Sequence, residues 1–172
     1  MVPIVEPEVL MDGDHTQDQC RAVTEDVLHS VFAQLYAQSV LLEGMILKPN
    51  MILPGLACAR QEAAEEVAVT TVECLRRVVP ASVPGIAFLS GGQSGELASA
   101  RLNAMSLLAR SPKYRLPWAL TFSFARAIQH PALDIWHGRD ANITTAQRAL
   151  LQRAICNRAA LRGEYSAAME QK

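Results

Sequence analysis

Apolar residues along the chain fall into short runs separated by longer stretches of near-helical spacing, with glycine and proline at the joins. That alternation predicts a parallel sheet covered by helices. The first strand is expected over Val2 to Leu10. Thr16-Gln17-Asp18-Gln19 has the form of a capping box and opens a helix with Cys20, Val23, Val27, Val31 and Leu35 on one face. A second strand is expected over Val40 to Lys48. Beyond Pro49, Pro54 and Gly55, the positions Ala64, Val67, Ala68, Val72 and Leu75 predict the second helix.

Pro80 and Pro84 close that segment, and a third strand is expected over Gly85 to Ser90, running into Gly91-Gly92. Ser94 is placed to cap a helix carrying Leu97, Ala100, Ala104 and Leu107. The fourth strand is expected over Trp118 to Phe124, with a helix from Arg126 to Trp136 after it. Thr144-Thr145-Ala146-Gln147, another capping-box pattern, opens a last helix reaching about Arg162, with Gly163 as its stop. These are four β/α units roughly forty residues apart, whereas a closed (β/α)₈ barrel needs eight in about 250 residues. The expected fold class is therefore α/β, a parallel sheet resembling half a barrel, with residues 1–172 as one partial domain. A complete doubly wound sheet is the alternative. It calls for a glycine-rich turn after the first strand if a nucleotide binds, and Met11-Asp12-Gly13-Asp14 has one glycine.

Half of the residues are hydrophobic and the net charge is −1, with charges scattered. Neither a nucleic-acid-binding face nor an anionic membrane surface site is expected. No apolar run is long enough to span a bilayer, and the cytoplasm is the expected compartment. Cys20, Cys58, Cys74 and Cys156 form no CxxC pair and read as reduced packing residues. Asp12-Gly13-Asp14-His15 reads as a polar turn rather than a metal loop, because the later acidic ligands of a calcium loop are missing.

In parallel α/β sheets, chemistry gathers beyond the carboxyl ends of the strands. Lys48 is the conspicuous residue there, an amine where an apolar strand should continue, held extended by Pro49. Two readings compete. Lys48 snorkels to water, or it is a nucleophile, since burial disfavours an ammonium and leaves free amine to attack a carbonyl carbon. Glu6 and Glu8 end the first strand, and period-two alternation expects them on one side, as proton carriers or as plain ion-pair partners. Ser90-Gly91-Gly92 before a helix, and Ser123 with Arg126 after the fourth strand, suit a phosphate. A phosphorylated carbonyl compound is the substrate class these groups suit.

The runs Ile4-Val5-Glu6-Pro7-Glu8, Leu42-Glu43-Gly44, Leu47-Lys48-Pro49-Asn50, Phe88-Leu89-Ser90-Gly91-Gly92-Gln93-Ser94 and Trp118-Ala119-Leu120-Thr121-Phe122-Ser123 together resemble class I fructose-bisphosphate aldolases. The resemblance covers nearly the whole chain. It implies strands five to eight of a (β/α)₈ barrel, a glycolytic lyase acting on fructose 1,6-bisphosphate, and no metal or other cofactor. It implies the Schiff-base role for Lys48, proton shuttling for Glu6 with Glu8 beside it, and phosphate binding by Ser90, Gly91, Ser123, Ala125 and Arg126. Ala125 stands where the family usually has glycine. By the same resemblance, an aspartate on the first barrel strand and lysines on the third and fourth fall outside this sequence. The expectation is impaired turnover by this chain alone, with self-association or a separately supplied N-terminal half completing it. The alternative is a catalytically incompetent half-barrel that acts only by association.

Overall fold

The computed structural model describes residues 1–171 and contains four parallel strands, β1 (Ile4–Val5), β2 (Ile46–Leu47), β3 (Gly85–Phe88) and β4 (Ala119–Phe122), in sheet order β1-β2-β3-β4. Val5 pairs with Leu47, Leu47 with Ile86, and Phe88 with Phe122. Five helices alternate with them: α1 (Gln17–Ala37), α2 (Ala64–Val78), α3 (Gly95–Arg110), α4 (Arg126–Trp136) and α5 (Ile143–Leu161). Neighbouring helices pack in sequence from α1 to α2 to α3, and α5 packs on both α3 and α4. Leu28, Met45, Leu47, Val67, Leu75, Ile86, Phe88, Leu102 and Met105 form the centre of the core. The α/β class and its parallel sheet are as expected.

The strands are shorter than the apolar runs suggested. β1 stops at Val5 because Pro7 has no N–H to offer the ladder. The expected strand from Val40 begins only at Ile46, since Val40 completes the end of α1. Its N–H donates to Leu35 O at 3.0 Å and that of Ser39 to Tyr36 O at 3.0 Å, with Ser39 left-handed at φ 55°. This is a Schellman closure with serine in the position glycine usually takes. The same closure at Gly163 (φ 64°) ends α5, as expected, with Glu164 N–H on Ala159 O at 3.0 Å.

Two helix faces are displaced from the expected ones. On α1 the buried stripe is Cys20, Thr24, Leu28 and Phe32, while Val23 is exposed. Thr24 is tolerated inside because its hydroxyl accepts from Asn50 Nδ2 at 3.2 Å. On α3 the expected Leu97 and Leu107 are exposed, and Ala98, Ser99, Arg101, Leu102 and Met105 are buried. Ser99 donates to Asn157 Oδ1 at 2.8 Å, which lets a polar residue occupy that face.

The Thr16 capping box and the Ser94 cap are both formed. The Thr144 box is not. A 3₁₀ turn, Asp140–Asn142, leads directly into α5 at Ile143. Asn142 stands at the N-cap, but its amide donates to Ile135 O at 2.9 Å and so serves the carbonyl end of α4. Asp12–His15 forms the expected turn, clamped to a facing loop by Gly55 N–H on His15 O (2.8 Å) and Ala57 N–H on Gly13 O (2.9 Å). The fit requires glycine at 55, where an added Cβ would lie 2.2 Å from Gly13 O.

Candidate active site

Parallel pairing carries the ends of all four strands to one edge of the sheet. Lys48 N–H donates to Val5 O (2.8 Å), Leu89 N–H to Pro49 O (3.1 Å) and Ser123 N–H to Phe88 O (2.8 Å), so each strand end is tied to the next. Within this frame Lys48 Nζ lies 2.8 Å from Glu6 Oε1. The lysine side chain is 16% exposed and the glutamate 46%, so the pair sits at the mouth of the sheet with the amine on the inner side.

Asn50 holds this corner together. It is 2% exposed, accepts from Val9 N–H at 3.1 Å and donates to Met51 O at 3.1 Å as well as to Thr24. The segment carrying Glu6 is thereby bound to the loop following Lys48 and to α1. Asn50 ends the run Leu47-Lys48-Pro49-Asn50, and a polar residue after a proline gives no sign of burial in sequence.

Glu8 departs from the expectation. β1 ends at Val5, so Glu6 and Glu8 both lie beyond the pleat and period-two alternation does not apply to them. Glu8 is exposed, and among the described residues it makes no ion pair. The geometry therefore brings Glu6, and not Glu8, to Lys48.

On the neighbouring strand end, Ser90 is buried and leads into a tight turn. Gly91 (φ 54°) and Gly92 (φ 78°) are both left-handed, and Gln93 N–H closes the turn on Ser90 O at 3.1 Å. Two consecutive positive φ values are the signature of a type I′ turn, which favours glycine. α3 begins immediately afterwards. At its first turn, the Glu96 carboxyl is held below its ordinary value by its own backbone N–H, then by the Ser94 hydroxyl, with Arg153 adding to the effect. That environment favours negative charge.

Ser123 lies one residue past β4, and Arg126 is the first residue of α4. Arg126 faces a cleft of about 380 Å³ together with Gly92, Gln93, Ser94, Glu96, His130 and Asp134. Lys48 and Glu6 do not line that cleft, so the arginine and the amine are on different parts of the edge. Ala125 caps α4 at φ −98°, a negative angle available to alanine without the penalty of the left-handed region.

Three further side chains shape the site. Gln93 Nε2 donates to Ser90 O at 2.7 Å, and Arg101 donates to Gln93 Oε1 at 2.9 Å from α3. Glu62, in the loop before α2, has a side chain 8% exposed and pairs with Arg60 at 3.2 Å. Burial pushes the Arg101 guanidinium below its ordinary pKa, and the Glu62 carboxylate opposes that fall. Arg101 was invisible in the apolar periodicity because a charged residue reads as a surface position.

The sequence model of the glycolytic fructose-bisphosphate aldolase class-I family matches residues 1–172. The chain belongs to that family. Fructose-bisphosphate aldolase B of Sparus aurata is 52% identical over 165 residues, which are 96% of this chain and 44% of that protein. Fructose-bisphosphate aldolase C of Homo sapiens is 50% identical over 170 residues, 99% of this chain and 46% of that protein. The aldolase of Plasmodium falciparum, solved as a ternary complex with TRAP and a small-molecule inhibitor, superposes with a TM-score of 0.90 at 47% identity. That match covers 97% of this chain and 47% of the solved one. This aldolase-family chain thus spans less than half the length of these relatives. No helix among its described residues is long and apolar enough to cross a membrane.

Proposed function

We propose that this chain carries the Schiff-base half of a class I fructose-bisphosphate aldolase site, acting in the cytoplasm on fructose 1,6-bisphosphate and its triose phosphate products. The observation that carries this reading is the 2.8 Å contact between Lys48 Nζ and Glu6 Oε1 on adjacent strand ends. Glu6 takes a proton from the ammonium, and the freed amine adds to the ketone carbon to give a carbinolamine. The same carboxyl returns its proton to the carbinolamine hydroxyl, which leaves as water. A protonated imine on Lys48 remains, and it draws electrons from the carbon bond to be broken.

Ser90 and Gly91 on the turn after β3, with Ser123, the Ala125 N–H and Arg126 after β4, form the phosphate-holding side. Two left-handed glycines, the start of α3 and an arginine at the head of α4 support that assignment. The four cysteines, all free, fit a reducing compartment. Borohydride reduction in the presence of dihydroxyacetone phosphate should attach the triose to Lys48, located by peptide mass spectrometry. A folded chain that gives no adduct overturns the reading.

A second reading, association without independent catalysis, is favoured by the open sheet. β1 and β4 are its edges, and Ile4 on β1 is 54% exposed. In that case a second copy or a separately supplied N-terminal half covers the edges. Light scattering combined with cleavage assays separates the two, since a folded monomer that cleaves fructose 1,6-bisphosphate excludes this reading.

A further inference from the structure

α3 carries a guanidinium inside the protein. Arg101 is 5% exposed, as deep as the Gln93 (7%) and Ser90 (6%) that lie beyond it. Its side chain donates to Gln93 Oε1, and its Nε has no partner among the described residues. Burying a charge is costly unless hydrogen bonds compensate it.

The direction is legible in the bond itself. A glutamine amide can face either way, but arginine only donates. The Arg101 contact therefore requires the Gln93 oxygen to point toward α3 and its NH₂ to point toward Ser90 O (2.7 Å) and Met51 Sδ (3.6 Å). Ser90 O then receives two donors from the same residue, the backbone N–H at 3.1 Å and the side-chain NH₂. The Gly91-Gly92 turn is closed twice, in a backbone region where two glycines would otherwise be free to flex.

We propose that Arg101 is a positioning residue that fixes the Ser90-Gly91-Gly92 turn for phosphate through the amide of Gln93. This rests on the reading of that turn as part of the phosphate-holding side. The Glu62 carboxylate, in the loop before α2, acts electrostatically on the guanidinium, and its buried Oε2 has no partner among the described residues. In this role Arg101 acts on the turn through Gln93 and not on phosphate directly. It acts by withholding alternative orientations from the turn.

The test uses the ¹⁵N-labelled full chain titrated with inorganic phosphate, following the Gly91 and Gly92 amides, alongside borohydride trapping at Lys48 with dihydroxyacetone phosphate and with unphosphorylated dihydroxyacetone. Arg101→Met should weaken phosphate binding about tenfold and lower trapping of the phosphorylated ketone, while trapping of dihydroxyacetone stays at the wild-type rate. Arg101→Lys, which restores a donor, should recover part of the loss. Gln93→Glu keeps an acceptor for Arg101 but cannot donate to Ser90 O, so it should lose as much as Arg101→Met. Equal losses with both ketones would mark a merely structural role and overturn the inference, as would unchanged phosphate affinity in a folded Arg101→Met chain. If the wild-type glycine amides ignore phosphate, the phosphate reading itself fails and takes the inference with it. A wild-type response that Arg101→Met leaves intact removes the inference alone.

Discussion

Lys48 Nζ and Glu6 Oε1 stand 2.8 Å apart across β2 and β1, the amine mostly buried and the carboxylate half in water. Forty-two positions in the chain separate them. The parallel register that pairs Ile4 with Ile46 and Val5 with Leu47 brings the next residue of each strand, a carboxylate and an amine, to the same level.

Glu6→Gln should leave the fold intact and slow imine formation. A partly exposed ion pair contributes only about 0–1 kcal/mol, so the melting curve should barely move. The rate of borohydride trapping at Lys48 should fall by roughly 10²–10⁴, the usual contribution of a positioned acid or base. Glu8→Gln, which removes no contact to Lys48, should trap at close to the wild-type rate.

Asn50→Ala should be costly although the residue carries no charge. It strips the partner from the part-buried Val9 N–H and breaks the buried tie to Thr24, an effect of about 1–3 kcal/mol. Urea unfolding measures the stability loss. Trapping at Lys48 should slow as well, because the Glu6 segment loses its anchor to the loop after Lys48.

Two glycines should respond in opposite senses to alanine. At Gly55 the new Cβ meets Gly13 O at 2.2 Å, so Gly55→Ala must force the two loops apart, costing about 3 kcal/mol or more. At Gly44 the nearest atom is Leu41 Cδ2 at 3.8 Å, and Gly44→Ala should be tolerated or stabilise by about 0.4–1 kcal/mol. Thermal melts of the two variants check the contrast.

Stability should fall in alkali because of Cys74. Burial, then the nearby Glu25 carboxylate, pushes this thiol from 9.0 up to about 12. Above pH 9 the unfolded chain loses that proton while the folded chain keeps it, so the unfolded state binds fewer protons and unfolding becomes easier. The contribution is complete below pH 9 and is lost progressively as pH rises to about 12. Unfolding free energies measured from pH 8 to 11 should slope downward, and Cys74→Ala should flatten the slope whatever its effect on absolute stability.

The parts of this protein written locally were legible in the order of its residues. Apolar runs broken by glycine and proline implied the parallel α/β arrangement, and Thr16, Ser94 and Gly163 marked helix ends because capping depends on groups a few positions apart. The family runs identified Lys48, Glu6 and Ser90 as the candidate groups. Tertiary structure alone decided which polar residues go inside. Thr24, Ser99 and Arg101 each look like surface positions, yet each is buried because a partner distant in sequence or a turn away accepts or supplies its hydrogen bond. The same competition moved Asn142 from capping α5 to capping α4, and Pro7 withdrew Glu8 from the strand that would have aimed it at Lys48. Periodicity reports where apolar area can be buried. Which polar groups accompany it depends on hydrogen bonds that exist only once the strands and helices have met.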